Sequence, residues 1–419
     1  MSTPTQTTDV DLPEAGDRGG VGQALSDYWT RLRGGDVGSL PAVLGLVVLV
    51  AFFTWRQGDV FFSALNFANL LNQSAGVMVI AMGLVFVLLL GEIDLSAGFT
   101  AGTAAAILAV TLTQHSWPMP LALAAALLTG LVIGLAIGLL VAFLGIPSFV
   151  VTLAGFLGLQ GVMLLVIGEG GTIPIRDDFI KALNAGNMPV WAGWVLWALV
   201  VLGYLFAGYR RIMRRRSRGL PAESSSVLLA KAASLAALFG IAVYVLNQER
   251  QRPSAPIVIQ GVPWVVLVIL VLLVGLTFVL NRTAYGRHIY AVGGNAEAAR
   301  RAGISVPWVR VTCFMIGSTM AAVAGILIAS RDGSVSPTTG GAQTLLYAVG
   351  AAVIGGVSLF GGKGKVRDAV IGGLVIGVIA NGLPLITQTS GIQFIVTGLV
   401  LLIAASVDAI SRRRSTPAR

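Results

Sequence analysis

About twelve long apolar stretches, recurring almost from end to end, limit what this chain can fold into. They run near Leu40–Trp55, Ala75–Leu90, Ala97–Thr113, Leu121–Leu144, Phe149–Ile167 and Val190–Ala207. They continue near Val227–Leu246, Val262–Leu280, Val311–Ser330, Leu345–Phe360, Ala369–Leu385 and Ile392–Ile410. A bilayer core takes roughly 20 apolar residues per helix. Charged residues make up only 11% of the chain and mean hydropathy is +0.86, against about 25% charged in soluble domains. A chain with this much apolar surface belongs in lipid, where only helices and closed barrels satisfy their own backbone groups. The expected fold is all-α, a polytopic transmembrane bundle of about ten to twelve segments. Several stretches are short and interrupted by Gly, and these are expected to be broken or re-entrant.

The formal net charge of +10 could point to nucleic acid. Its distribution points instead to loops on one side of a membrane. With the N-terminus inside and the spans alternating, the inside positions hold Arg18, Arg31, Arg33, the cluster Arg210–Arg218 with Lys231, and Arg282, Arg287, Arg300, Arg301 and Arg310. They also hold Lys363, Lys365, Arg367, Arg412, Arg413, Arg414 and Arg419. Only Arg56, Arg176, Lys181, Arg250, Arg252 and Arg331 fall outside. This is the asymmetry of cytoplasmic loops, and it places both termini in the cytoplasm. Residues 1–39 are polar, Gly-rich and without a signal-peptide core, and read as a disordered cytoplasmic tail. Residues 40–410 form the membrane domain, and 411–419 a basic cytoplasmic tail. Cys313 stands alone, so no internal disulfide is possible, and His115 and His288 lack ligand-spaced partners, so no metal is expected.

Glycine spacing marks close helix contacts. Gly130, Gly134 and Gly138 recur every fourth residue, as do Gly373 and Gly377, and Gly98 and Gly102. Gly at this spacing lets helix backbones approach in lipid.

Three polar constellations interrupt the apolar pattern. In Gly91-Glu92-Ile93-Asp94-Leu95-Ser96, two carboxylates lie between two spans. Asp94 suits a cap for the following helix. Glu92, Asp94 and Ser96 are thus either a capped turn or a break in a helix lining a transport path. In the charged loop 282–310, Asn295 suits an N-cap, Glu297 a positive helix start, Arg300 and Arg301 a negative helix end, and Gly303 a stop. This reads as a short capped helix, too short to be stable alone, and either a solvated surface helix or a docking element. Ala296, Ala298, Ala299 and Ala302 give it a thin profile, so Ala299→Asp is expected to disturb docking without disturbing folding. The third constellation, Gly355–Lys365, superficially suggests a phosphate loop. Both registers of the Walker pattern fail, because Gly364 follows Lys363 and Val366 follows Lys365. Any ATP and Mg are expected on another chain, with no cofactor on this one.

These segments resemble the ribose/xylose/arabinose-type permeases of ATP-binding cassette importers. The likeness rests on Gly91–Gly98, on Ile146–Gly155 (IPSFVVTLAG), on Gly286–Asn295 (GRHIYAVGGN) and on Ala352–Gly362 (AVIGGVSLFGG), which run in family order between about Leu40 and Asp408. The two added stretches near Val190–Ala207 and Val227–Leu246 resemble the xylose-type permease. Where many members carry Glu-Leu-Asp-Ala, this chain has Leu345-Leu346-Tyr347-Ala348, so no role of those acids carries over. The resemblance implies a non-enzymatic subunit working as a homodimer in the bacterial inner membrane, with an ATPase subunit and an extracytoplasmic sugar-binding protein. It makes 295–303 the coupling helix and xylose the first candidate substrate. Another sugar, a nucleoside or an autoinducer is the alternative cargo. A secondary transporter or a membrane enzyme is the alternative class.

The charge pattern requires Arg214 and Lys181 to lie on opposite sides of the membrane. Cysteines placed at these positions will react oppositely with an impermeant thiol reagent in sealed cells. Equal labelling rejects the topology.

Overall fold

The computed structural model describes residues 39–168, 171–252 and 255–415. The expected tail 1–39 lies almost wholly outside the described residues. The chain is overwhelmingly helical and divides into two compact units, 37–190 with 246–419, and 191–245. The expected single membrane domain therefore carries its central insertion as a separate unit.

The larger unit opens with α1 (Leu40–Phe61), α2 (Ala64–Leu89) and α3 (Ala97–Ala109), the last extended by a π turn to Gln114. Next come α4 (Met119–Ala142), α5 (Ser148–Ile167), strand β1 (Ile173–Pro174) and the short α6 (Asp178–Ala185). After the insertion the chain forms a hairpin of β2 (Arg250–Arg252) and β3 (Ala255–Ile259), then α9 (Trp264–Arg282). Two short helices follow, α10 (Ala284–Gly294) and α11 (Ala296–Arg301). The chain closes with α12 (Val306–Asp332), β4 (Ser334–Val335), α13 (Gly341–Gly355), α14 (Val366–Ile386) and α15 (Ser390–Ser415). The smaller unit is essentially two helices, α7 (Val190–Arg216) and α8 (Ser225–Leu246). Among the described residues, ten helices are long and apolar enough to span a bilayer. α13 spans only about 22 Å at 1.5 Å per residue, which makes it the short segment that the Gly-broken pattern anticipates. It stops at Gly356, whose φ of +105° a side chain would oppose. α15 continues to Ser415, so much of the segment expected as a tail is helical.

The apolar helices sort into an inner and an outer set. α2, α3, α12 and α14 are largely buried, whereas α1, α4, α5 and α9 bury only a stripe. Apolar side chains around the rest of such a helix suit lipid. Glycine sets the inner spacing. A methyl group on Gly130 would lie 2.6 Å from the Ser318 carbonyl oxygen, and one on Gly134 2.5 Å from that of Phe314. One on Gly138 would meet the Val311 Cα at 2.7 Å, so α4 lies backbone-to-backbone on α12. Gly373 and Gly377 instead make room for the side chains of Met78 and Ser74 of α2 against α14. Gly102 brings α3 onto the Thr339 carbonyl.

Polar bonds tie the two ends of this bundle. At one end the Gly362 N–H donates to the Leu89 carbonyl (2.8 Å) and the Tyr290 hydroxyl to that of Gly364 (2.8 Å). At the other, β1 pairs with β4, and Asn184 donates to the carbonyls of Leu327 (2.9 Å) and Asn72 (3.2 Å). In the smaller unit the Trp197 indole donates to the Ala236 carbonyl (2.9 Å), and Ile212, Ala222 and Leu228 form a small core.

The packing argument distinguishes glycines of equal spacing. Gly134→Leu forces α4 off α12 and costs at least about 1–3 kcal/mol, whereas Gly158, with nothing within 4 Å of its missing methyl, accepts Leu. Thermal unfolding in detergent will show a lowered midpoint for the first and an unchanged one for the second. Equal midpoints would sink the packing account.

Candidate functional site

Near its N-terminal end, α2 carries amides at helical spacing, Asn66, Asn69, Asn72 and Gln73, within an otherwise apolar helix. Ser63 starts the helix by accepting from the Asn66 N–H at 3.1 Å. The stripe is costly in lipid unless it faces water or partners; Asn69, Asn72 and Gln73 line a cavity of about 570 Å³, and Asn66 donates to the Phe61 carbonyl and to Asn381. The last turn of α12 contributes Arg331 and Asp332, the first turns of α13 contribute Gln343, Thr344 and Tyr347, and α14 contributes Ile376, Gly377 and Ala380. The size falls within the usual range for small-molecule sites.

The lining is about half polar and carries no net charge. Arg331 Nε meets Asp332 Oδ1 at 2.8 Å, and both side chains are more than one-third exposed. The Gln343 amide donates to the Tyr347 hydroxyl at 2.8 Å. Gln73 Oε1 accepts from Asn381 at 3.3 Å, and Asn381 in turn accepts from Asn66 at 2.9 Å. Asn72 Oδ1 is buried without a hydrogen-bond partner. Amides, hydroxyls and one self-compensated ion pair can exchange hydrogen bonds with a neutral polyhydroxylated solute without committing a net charge. Sequence reasoning missed this site, although the amide stripe of α2 was a readable signal. Tyr347, noted only as a departure from the family pattern, lies in its wall.

The residues singled out in the sequence lie elsewhere. Glu92 pairs with Arg310 Nε at 3.2 Å, near the start of α12 and thus at the opposite end of that helix from Arg331. Asp94 Oδ1 accepts from the Ser96 N–H (2.8 Å) and hydroxyl (2.6 Å) just before α3. Burial pushes the Asp94 carboxyl above the usual carboxylate range, and the hydroxyl and amides of Ser96 and Ala97 oppose that rise. The preceding turn is pinned by the Ser148 hydroxyl, which accepts from the Ile93 N–H at 3.2 Å. The Asp94 carboxylate folds back onto Ser96 through Oδ1, its Oδ2 is buried without a hydrogen-bond partner, and Glu92, Asp94 and Ser96 do not line this cavity.

The short helix forms as its caps anticipate. Asn295 accepts from the Ala298 N–H at 2.9 Å, Glu297 pairs with Arg300 (2.5 Å) and Arg301 (3.2 Å), and Gly303 ends it with φ +82°. Arg300 holds the Glu297 carboxyl below its ordinary value. One expectation needs correction. Ala299 is only 4% exposed and belongs to the main core, so it faces the interior of the larger unit. The outward face consists of Glu297, Ala298, Arg300, Arg301 and Ala302. The preceding α10 was not foreseen as a separate helix.

The Gly-rich loop after α13 uses its amides internally. Ser358 N–H donates to the Lys363 carbonyl and Gly362 N–H to that of Leu89, both at 2.8 Å. Among the described residues, no three His, Cys, Asp or Glu side chains gather as metal ligands do.

Residues 66–405 match the family described as branched-chain amino acid transport system / permease component. The xylose transport system permease protein XylH of Escherichia coli K12 is 36% identical over 89% of this chain and 92% of its own length. Its namesake in Haemophilus influenzae is 33% identical over 89% and 96%. The fructose import permease protein FrcC of Rhizobium meliloti is 30% identical over 90% and 87%. No solved structure matches the chain. A match over most of the chain, together with ten candidate membrane helices, places this protein in the branched-chain amino acid transport system / permease component family.

Proposed function

We propose that this chain is the membrane permease subunit of an ATP-driven importer for a pentose, D-xylose first. The cavity carries this reading. It sits at the end of α12 remote from α11, about 40 Å away at 1.5 Å per residue, and it offers uncharged donors and acceptors. The xylose permeases that match nearly the whole chain support the choice of sugar.

In the proposed arrangement the cavity receives sugar from an extracytoplasmic binding protein. A separate ATPase subunit, holding ATP and Mg, docks on α11 at the cytoplasmic end. A second copy of the permease completes the path, both termini are cytoplasmic, and the assembly lies in the bacterial inner membrane. Gln343 and Tyr347 meet the sugar hydroxyls, and the Arg331–Asp332 pair holds the rim. This chain binds, releases and moves, while chemistry stays with the ATPase.

Reconstitution with the cognate ATPase and binding protein, followed by labelled-xylose uptake, tests the reading. Gln343→Ala and Tyr347→Phe each remove a hydrogen bond of about 0.5–1.5 kcal/mol, so uptake at low sugar should fall about 3- to 10-fold while ATP hydrolysis persists. Full uptake in both variants would remove the sugar from this cavity.

A second test concerns α11. Ala298→Asp places a charge on the outward face and should abolish co-purification of the ATPase while the permease remains folded. Ala299→Asp buries a charge in the permease's own core and should lower its yield and melting temperature. Reversal of the two phenotypes would show that α11 docks through its other face.

A further inference from the structure

The smaller unit carries a charge pattern that transport does not explain. α7 has 27 residues and is about 40 Å long, whereas a hydrocarbon core is about 30 Å thick. With Trp191 exposed at one end, 19 residues and about 28 Å of helix bring the chain to Arg210. The last two turns therefore emerge at headgroup level. They carry Arg210, Arg211, Arg214, Arg215 and Arg216, and Arg218 follows in the turn. All six are exposed. Glu223 is the sole carboxylate between 191 and 245, and it pairs with Lys231.

The helix geometry aims these cations outward. Ile212 is buried against Ala222 and Leu228 of its own hairpin. At 100° per residue, Arg210 and Arg214 lie opposite Ile212, and Arg211 and Arg215 lie to one side. The Arg210 guanidinium rests 5.5 Å from the centroid of Phe206, which is itself exposed on the apolar part of the helix. Exposed Tyr209, Met213 and Leu220 lie among the arginines, so the surface is apolar and cationic at the same depth. Like charges at i and i+4, Arg210 with Arg214 and Arg211 with Arg215, repel one another. Orientation in the membrane needs fewer charges than this.

We propose that the end of α7 is a binding site for the phosphate headgroups of anionic phospholipids. Guanidinium groups engage phosphate oxygens in pairs, the bilayer supplies the phosphates at this depth, and the exposed Phe206 and Tyr209 just before Arg210 lie against the acyl-chain boundary. Neutralising the cluster removes the repulsion within α7. The site is independent of the sugar cavity.

The test offers the purified full-length chain, in neutral detergent, an equimolar mixture of phosphatidylglycerol and phosphatidylcholine. Native mass spectrometry then counts the lipids retained. Wild type should keep phosphatidylglycerol preferentially. Changing Arg210, Arg211, Arg214 and Arg215 together to Gln should lower that preference by at least about tenfold. Arg211→Gln with Arg215→Gln leaves Arg210, Arg214, Arg216, Arg218 and Lys231 to preserve orientation, and should lower it about threefold. An unchanged ratio in both variants overturns the proposal. So does complete displacement of the lipid by millimolar inorganic phosphate, which would make free phosphate the ligand. Loss of ATPase co-purification with lipid retention unaltered would assign the surface to a protein partner and equally overturn it.

Discussion

Backbone-to-backbone approach at glycine is the constraint on which the larger unit depends. Lipid chains are as apolar as leucine, so helices gain nothing by hiding apolar side chains from each other's surroundings. What holds them is dispersion, which falls steeply with distance. α12 is gripped through Gly130, Gly134 and Gly138 of α4, through Gly83 of α2, whose missing methyl would lie 2.6 Å from the Met320 Cβ, and through its own Gly325 against Ala101 of α3. None of these contacts accommodates a side chain without displacing backbone or a Cβ atom. The polar features occupy the margins that this tight centre leaves open.

This dependence explains what could be read in advance. The Gly130–Gly138 and Gly373–Gly377 spacings are local in sequence, and each is realised as a packed face. The apolar stretches are local too, and helices form over all twelve. The caps of α11 follow from Asn295, Glu297 and Gly303 because capping is a matter of neighbouring residues. Its facing is not. Ala299 looks like Ala298 in the sequence, and only the packing of the short helix onto the core determines which of them turns inward. The cavity is less legible still. It draws Gln73, Arg331, Gln343 and Ile376 from four helices far apart in the chain. A run of amides in α2 hints that something wet lies beside that helix without saying what stands opposite. Glu92 and Asp94 stand apart from that cavity. Carboxylates between apolar stretches suggest a functional break; Asp94 places Oδ1 on Ser96 while its buried Oδ2 has no hydrogen-bond partner, and Glu92 meets Arg310.

The same packing sets the mechanical relation between the two ends. α2 and α12 each run without a break from the loop end to the cavity, and Gly83 locks them side by side midway. α11 joins α12 through a short link in which the Ile304 N–H donates to the Ala299 carbonyl at 3.1 Å, and Arg310 on the first turns of α12 holds Glu92. At the far end of that rod Arg331 meets Asp332 and, at 3.5 Å, the Gln73 carbonyl of α2. A close-packed interior does not deform continuously. A displacement of α11 must therefore move α12 as a body, or else break the backbone contacts with α4 and α3, where glycine leaves no slack. The contacts at the cavity are of a different kind: one partly exposed ion pair and a few side-chain hydrogen bonds, each contributing little. Arg331, Gln73 and Gln343 can therefore exchange partners at smaller cost than the glycine contacts of α12 can be broken.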